Sequence, residues 1–274
     1  MRFVVACFLA GLLLGQAPQS GQTPTGLAYD RQGNGPAVVL ITGSNLDRRM
    51  WSREVEWLKP NFTVVRYDLR AHGESAMPRP TLTPVADLVA LLDHLGIKKA
   101  SLVGLSAGSA IAIDAALDAP DRIEKVVVAA PVVSGFVART PPPFLADLRA
   151  AIQAKDYARA NDVMLASPLF GVPQESQLLV RTMVTENNRL WSVTREMMAP
   201  PGEPALDRLE TIKTPLLVLV GENDGDAMKE QGELLAKRVP AAKLVMVPGG
   251  GHLLNLTSPR AFEEALSGFL NDKR

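Results

Sequence analysis

Short, near-continuous apolar runs rich in β-branched residues constrain the fold of this chain more than any other feature. They occupy residues 37–42, 63–68, 100–105, 125–130, 215–220 and 243–247. Runs of this length are typical of strands buried on both faces, as in a parallel sheet covered by helices. Helical patterns separate the runs; one of them begins at Thr83-Pro84 and ends at Gly96. This alternation predicts an α/β fold with a doubly wound, mostly parallel sheet.

The alternation of strands and helices stops within about residues 134–204. Helical patterns at 144–152, 178–185 and 190–198 occur there, and no strand-like run interrupts them. We therefore expect an all-helical insert between two strands of the sheet. The length of the chain suits a single α/β domain, residues 21–274, that carries this insert.

The first twenty residues, 1–20, differ from the rest of the chain. Arg2 precedes an apolar run of 13 residues, and small polar residues follow. This order is typical of a secretory signal peptide, and the run is short for a membrane span. We expect an exported protein, periplasmic or secreted, with an uncleaved N-terminal anchor as the alternative. Cys7 is the only cysteine and lies in this segment, so the mature protein would have no disulfide and no thiol nucleophile.

The charge balance and the few histidines exclude several classes of function. The 29 basic and 29 acidic side chains cancel, which argues against nucleic acid as a partner and favours a small-molecule substrate. His72, His94 and His252 are the only histidines, and their spacing suits no metal site. We therefore expect a mechanism that uses neither a metal nor another cofactor.

The pentapeptide Gly104-Leu-Ser-Ala-Gly108 places Ser106 between a buried strand and a helical pattern at 110–117. A nucleophilic serine on a sharp strand-to-helix turn has this context. The glycines keep side chains out of the crowded turn, and the N-terminus of the helix favours developing negative charge. The pattern predicts Ser106 as a nucleophile; the alternative is an ordinary strand–helix turn.

One of the three histidines should act as the general base for Ser106. His94 falls on the helix face shared by Asp87 and Leu91, away from the apolar stripe, and is expected at the surface. His252 follows the last strand, and the order nucleophile, acid, histidine along the chain favours it. His72, in the loop at residues 68–75, is the fallback and is expected to shape that loop.

The acid that orients His252 should lie in the loop at residues 221–226, after the strand at 215–220. Asp224 is the first choice because its spacing from the strand places its carboxylate above the sheet. Asp226 and Glu222 are alternatives. The acid would hold the imidazole in the required tautomer and stabilise the imidazolium.

Two backbone amides should bind the oxyanion of the reaction. Ala107 follows the nucleophile and should supply one of them. Ser44, in the loop after the first strong strand, should supply the second, and Gly43 gives this loop its backbone freedom.

Together these motifs resemble the α/β-hydrolase superfamily, in particular its small esterases, lactonases and carbon–carbon bond hydrolases. The similarity extends over about residues 27–270, and its motifs are DLRAHGES at 68–75, GLSAG at 104–108, GEND at 221–224 and GH at 251–252, with Trp51 and the segment 258–266. The resemblance implies an α/β-hydrolase fold whose helical insert is a cap over the pocket. At the strand-to-helix turn this chain carries Ser106, whereas the dehalogenase and epoxide hydrolase branches of the superfamily carry an aspartate there.

This chain departs from the family at Thr42-Gly43, where members usually carry His-Gly. We expect the Thr42 hydroxyl to replace part of the loop-bracing role of that histidine. Taken together, the sequence predicts an exported carboxylic-ester hydrolase with a Ser106–His252–Asp224 triad and an acyl-enzyme intermediate. Lactone opening or carbon–carbon cleavage by the same triad is one alternative, and a non-catalytic binding module is another.

Overall fold

An eight-stranded sheet forms the centre of the computed structural model, which describes residues 19–272. The strands are β1 (Gln19–Gln22), β2 (Ala28–Gln32), β3 (Ala37–Ile41), β4 (Thr63–Tyr67), β5 (Ala100–Leu105), β6 (Ile123–Ala129), β7 (Leu216–Gly221) and β8 (Ala242–Val247). Their order across the sheet is β1-β2-β4-β3-β5-β6-β7-β8. Strands β3 to β8 run parallel, whereas β2 pairs antiparallel with β1 and β4. The predicted doubly wound, mostly parallel sheet is confirmed.

The six predicted strands are β3 to β8, and their observed ends lie within two residues of the apolar runs. The antiparallel edge strands β1 and β2 were not predicted. Their sequences, QSGQ and AYDRQ, are polar and partly exposed, so they carry no apolar run. The expected signal peptide falls on residues 1–18, outside the described residues, and on Gln19 and Ser20, which belong to β1.

Helices cover both faces of the sheet. They are α1 (Ser52–Leu58), α2 (Pro84–His94), α3 (Ala107–Asp118), α4 (Phe144–Gln153), α5 (Tyr157–Ala166), α6 (Gln174–Glu186), α7 (Asp226–Arg238), α8 (Leu254–Thr257) and α9 (Pro259–Asn271). Alternate residues of β3 point to opposite faces: Val39 and Ile41 pack with α2, α3 and α7, whereas Val38 and Leu40 pack with α1 and α9. Both faces of the central strands are therefore buried, which explains their unbroken apolar sequences.

The segment between β6 and β7, residues 130–215, contains helices and no strand; we call it the helical insert. It holds α4, α5 and α6, of which α5 was not predicted. The expected helix at 190–198 is instead two 3-10 helices, Asn188–Ser192 and Arg195–Met197. Val193 and Thr194 separate them in extended conformations, which β-branched residues favour.

Helices α5 and α6 of the insert pack on the α1–α9 side of the sheet through the buried side chains of Met164 and Met183. The 3-10 helix Ala205–Thr211, near the end of the insert, packs on the opposite side with α3 and α7. Within residues 19–272, none of the helices has the length and apolar character needed to cross a bilayer.

Candidate active site

Ser106 lies at the sharp turn between β5 and α3. Its backbone has φ 53° and ψ −116°, an unusual conformation for a residue with a side chain. The Ser106 N–H donates to the carbonyl oxygen of Ala129 at 3.0 Å, which ties the turn to β6. Strained backbone of this kind persists only where the surroundings hold it. The turn therefore presents the Ser106 side chain at the carboxyl edge of the parallel strands.

Glycines allow three backbone segments to meet around this turn. A Cβ on Gly104 would lie 2.2 Å from the carbonyl oxygen of Gly108, and one on Gly108 would lie 2.3 Å from that of Ile41. A Cβ on Gly43 would lie 3.3 Å from the Cβ of Ser106. The loop after β3 consequently lies directly against the serine. Because the Ser44 amide is predicted to bind the oxyanion, we call residues 42–47 the oxyanion loop.

The structure brings Asp224 to His252. Both carboxylate oxygens of Asp224 lie 3.1 Å from Nδ1 of His252, and each residue is only 5% exposed. Oδ1 of Asp224 also accepts the N–H of Gly225 at 2.8 Å. Asp226 begins α7 and is exposed, and the carboxylate of Glu222 instead accepts the N–H of Gly249 at 3.1 Å. Of the three candidate acids, Asp224 is the one that contacts the histidine.

Main-chain contacts hold the Asp224 and His252 loops together. The N–H of Asn223 donates to the carbonyl oxygen of Gly250 at 2.8 Å. Gly221 permits this approach, because a Cβ there would lie 2.2 Å from the same oxygen. The backbone next to Asp224 and the backbone next to His252 therefore hold the two side chains close to each other.

Ser106 and His252 are not joined by a hydrogen bond in the described part of the chain. Nε2 of His252 likewise has no hydrogen-bond partner among residues 19–272. Hydrogen bonds between catalytic groups are often long in unliganded enzymes and shorten when substrate binds. Nε2 of His252 is therefore available to accept a proton.

His72 uses both of its ring nitrogens. Nδ1 donates to the carbonyl oxygen of Arg70 at 2.8 Å, which leaves Nε2 to accept the N–H of Asn45 at 3.0 Å. Burial lowers the pKa of His72, so the imidazole is neutral at pH 7. His72 shapes its loop, as expected, and in addition braces the oxyanion loop. We call residues 68–75 the His72 loop.

His94 lies at the surface, as predicted, and its ring packs edge-on against Tyr29 with centroids 5.6 Å apart. The helix face assigned to it was nevertheless wrong, because Asp87 and Leu91 on that face are buried.

Two amides near Ser106 have no acceptor within the described residues. Ala107 is the first residue of α3, so its N–H has no partner in the helix. Ser44 is exposed, and its N–H makes no hydrogen bond in residues 19–272. Both N–H groups can therefore donate a hydrogen bond to an anionic oxygen.

The expected bracing by Thr42 is wrong. Its hydroxyl is buried and has no hydrogen-bond partner in the described part of the chain. A hydroxyl on Cβ reaches only nearby groups, whereas the imidazole of His72 extends from a separate loop to the amide of Asn45. The bracing group is therefore His72.

A cavity of about 620 Å³ lies between the helical insert and the Asp224 loop. Its wall includes the apolar side chains of Phe144, Val163 and Leu169 and the charged side chain of Arg159. Asp224 lines the cavity, whereas Ser106 and His252 do not. The insert thus borders a cavity that reaches the site at Asp224. No cluster of three or more metal-ligating side chains occurs within residues 19–272.

Sequence reasoning missed two residues of the insert, Asn187 and Arg189. Both bind backbone of the loops that surround Ser106. Their partners lie more than 100 residues away in sequence. The only local signal is a polar Asn-Asn-Arg segment directly after an amphipathic helix.

Known proteins share the fold of this chain. Residues 38–265 match the model of the alpha/beta hydrolase family. "Putative carbamate hydrolase RutD" of Caulobacter sp. strain K31 is 33% identical over 278 residues, which cover 92% of this chain and 98% of that protein.

Solved structures of hydrolases superpose on most of the chain. The enol-lactonase of Burkholderia xenovorans LB400 is 26% identical, with a TM-score of 0.76 over 93% of this chain and 100% of that one. A thermophilic esterase of Thermogutta terrifontis is 25% identical, with a TM-score of 0.74 over 93% and 98% of the two chains. The family match covers most of the chain, and we conclude that the protein belongs to the alpha/beta hydrolase family.

Proposed function

We propose that the protein is a serine hydrolase that cleaves a small carboxylic ester through an acyl-enzyme. The observation that carries the proposal is the buried pair in which Asp224 holds Nδ1 of His252, while Nε2 has no partner among residues 19–272. An imidazole held in this way is suited to take a proton from a serine. Ser106, at the strained turn after β5, is the serine we assign to it.

In the proposed reaction, the hydroxyl oxygen of Ser106 attacks the acyl carbonyl and Nε2 of His252 takes the proton. The amides of Ser44 and Ala107 bind the oxyanion, and Asp224 stabilises the imidazolium. When the tetrahedral intermediate collapses, His252 returns the proton to the leaving alcohol. Water, with His252 as its base, then releases the acid from Ser106.

The same residues could act on other acyl groups, and the relatives point to two of them. A relative named as a carbamate hydrolase and a structural neighbour titled an enol-lactonase suggest a carbamate or a cyclic ester as alternative substrates. Carbon–carbon cleavage is a third alternative within the same chemistry. These substrates differ in the leaving group and leave the proposed roles of Ser106, His252 and Asp224 unchanged.

A fluorophosphonate probe followed by peptide mapping tests the proposed nucleophile. The wild type should be labelled on Ser106, Ser106→Ala should not be labelled, and the control Ser267→Ala on α9 should be labelled like the wild type. Circular dichroism should show that all three proteins are folded. Folded wild-type protein that resists the probe would instead indicate a binding module.

A substrate panel separates the remaining catalytic alternatives. Nitrophenyl esters of rising acyl length should be compared with lactones and nitrophenyl carbamates at matched concentrations. We expect the highest kcat/KM for a short-chain ester. A lactone or carbamate preference of tenfold or more would reassign the substrate class.

We also propose that residues 1–20 direct export. Cell fractionation and N-terminal sequencing should find a shortened protein outside the cytoplasm. Full-length protein in the cytoplasm would contradict this proposal.

A further inference from the structure

Asn187, directly after α6, joins the helical insert to both loops around Ser106. Its side-chain NH₂ donates to the carboxylate of Asp47 at 3.0 Å and to the carbonyl oxygen of Asn45 at 3.4 Å. Its side-chain oxygen accepts the N–H of Gly73 at 2.6 Å. The side chain is 1% exposed, so its hydrogen bonds are shielded from water. One buried amide therefore connects the insert, the oxyanion loop and the His72 loop.

Arg189, two residues later, binds the His72 loop a second time. Its guanidinium donates to the carbonyl oxygens of Ala71 at 3.3 Å, His72 at 3.0 Å, Gly73 at 2.6 Å and Ser75 at 2.6 Å. These four acceptors lie within five consecutive residues, so one side chain fixes the path of the loop. A lysine ammonium cannot span them with the same fixed geometry.

The two clamped loops meet at Asn45. Its N–H is bound by His72 at 3.0 Å and its carbonyl oxygen by Asn187. Its φ of 61° lies in the left-handed region, which is uncommon for a residue with a side chain and persists only when the surroundings hold it. Ser44, whose amide is proposed to bind the oxyanion, immediately precedes this residue. Loss of either contact would release the backbone next to that amide.

A second link runs through Arg49. Its guanidinium binds Asp47 of the oxyanion loop at 2.7 Å and Glu186, the last residue of α6, at 2.6 Å. Although burial opposes the charge of Asp47, the hydrogen bonds from Arg49 keep its pKa below the usual range. The carboxylate that receives the Asn187 amide is therefore ionised at pH 7.

We propose that Asn187 and Arg189 are positioning residues that couple the seating of the helical insert to the geometry of the oxyanion hole. Their contacts hold Asn45, directly and through His72, and thereby set the direction of the Ser44 amide. The kinetic part of this inference rests on the proposed serine hydrolase function, whereas the mechanical coupling of the insert to the loop does not.

Asn187→Ala and its neighbour Asn188→Ala form a matched pair for the kinetic test. Asn188 is exposed and its side chain makes no hydrogen bond in residues 19–272, so its variant should behave like the wild type. For Asn187→Ala we expect kcat to fall by roughly 10- to 100-fold with KM within about threefold, because the oxyanion exists only in the transition state. Inhibition by a trifluoromethyl ketone, which forms a tetrahedral adduct, should weaken by a similar factor. A rise in KM alone, with kcat unchanged, would overturn the assignment.

Amide hydrogen exchange tests the coupling without reference to catalysis. In Asn187→Ala, residues 42–47 should exchange at least about tenfold faster, while β5 stays as in the wild type and Asn188→Ala shows no change. Unchanged exchange of residues 42–47 in Asn187→Ala would overturn the proposal. If wild type resists fluorophosphonate, the hydrolase assignment fails and the exchange result still decides the coupling.

Arg189→Lys provides a second variant in case Asn187→Ala does not fold. It keeps the positive charge and loses most of the four carbonyl contacts. We expect faster exchange in residues 68–75 and 42–47 together. Faster exchange confined to the insert itself would show that Arg189 does not position the loop and would overturn its part in the proposal.

Discussion

The two buried histidines of this protein sit in similar places and have different partners. His252 and His72 are 5% and 3% exposed, and each lies in a loop that follows a strand of the parallel sheet. Nδ1 of His252 faces the carboxylate of Asp224, whereas Nδ1 of His72 faces the carbonyl oxygen of Arg70. The Nε2 atoms differ as well. Nε2 of His252 has no partner among residues 19–272, whereas Nε2 of His72 accepts the N–H of Asn45.

This difference shows how the same side chain can serve chemistry in one loop and structure in the other. A carboxylate beside Nδ1 stabilises an imidazolium, which suits His252 to the proton transfer of the proposed reaction. The Arg70 carbonyl beside Nδ1 fixes which ring nitrogen of His72 carries the proton. Burial outweighs this contact and lowers the pKa of His72, so the ring stays neutral. We therefore assign proton transfer to His252 and loop bracing to His72, and the following predictions try to break or sharpen that division.

The largest expected effect follows removal of the base. His252→Ala should lower kcat/KM for a nitrophenyl ester by roughly 10⁴- to 10⁶-fold, because the proton of Ser106 then has no acceptor. His72→Ala should lower it by only about 10- to 100-fold, the cost of a misplaced oxyanion amide. Steady-state kinetics of the two purified variants make the comparison. Equal losses in both would end the proposed division.

Removal of the carboxylate charge should have the next largest effect. Asp224→Asn keeps the shape of the side chain but favours the wrong imidazole tautomer, and we expect kcat to fall about 10⁴-fold. Asp226→Asn, two residues on and exposed, is the control and should keep wild-type kcat. If Asp226→Asn were the inactive variant, the acid would have to be reassigned.

The bracing histidine should also influence stability at acidic pH. Because its folded pKa lies below the unfolded value of 6.5, the unfolded chain binds the proton more tightly. The His72 contribution is therefore fully present above pH 6.5 and is lost as pH falls toward the lower folded pKa. The free energy of unfolding of wild type and His72→Gln should be measured with denaturant between pH 5 and pH 8. It should fall less steeply with decreasing pH in the variant, by a slope that corresponds to about one proton. Identical slopes would show that His72 is not held neutral.

The smallest effect is expected at Thr42. Its buried hydroxyl has no partner in the described residues, so Thr42→Val should leave kcat within about twofold and change stability by about 1 kcal/mol or less, in the stabilising direction. Thermal melts and ester kinetics are sufficient measurements. A tenfold loss of kcat would return the bracing role to Thr42 and weaken the case for His72.

The sequence predicted much of the fold because the core strands carry unbroken apolar runs. Strands β3 to β8 were found for this reason, whereas the polar edge strands β1 and β2 were not. Helix α5 was missed because only a narrow set of its side chains is buried. In the insert, the extended residues Val193 and Thr194 divide a helical pattern into two 3-10 helices.

The candidate site was predictable only where local patterns encode it. Ser106 was found through its flanking glycines, and the choice of Asp224 followed from its spacing after a strand. The hydrogen bonds of the Asn187 side chain could not be predicted from the sequence, because its partners lie 114 to 142 residues away. The bracing role expected of Thr42 was wrong because it was inferred only from the histidine that family members carry at this position. The hydrogen bond that braces Asn45 comes instead from His72, in another loop.

The most direct test of the division between the histidines is the rate at which a fluorophosphonate forms its adduct on Ser106, measured by intact mass and located by peptide mapping. The reaction needs the serine proton to be removed, so His252→Ala should react at least about 10³-fold more slowly than wild type. His72→Ala should still form the adduct on Ser106, about 10- to 100-fold more slowly. Rapid labelling of Ser106 in His252→Ala, with labelling lost in His72→Ala, would contradict the account.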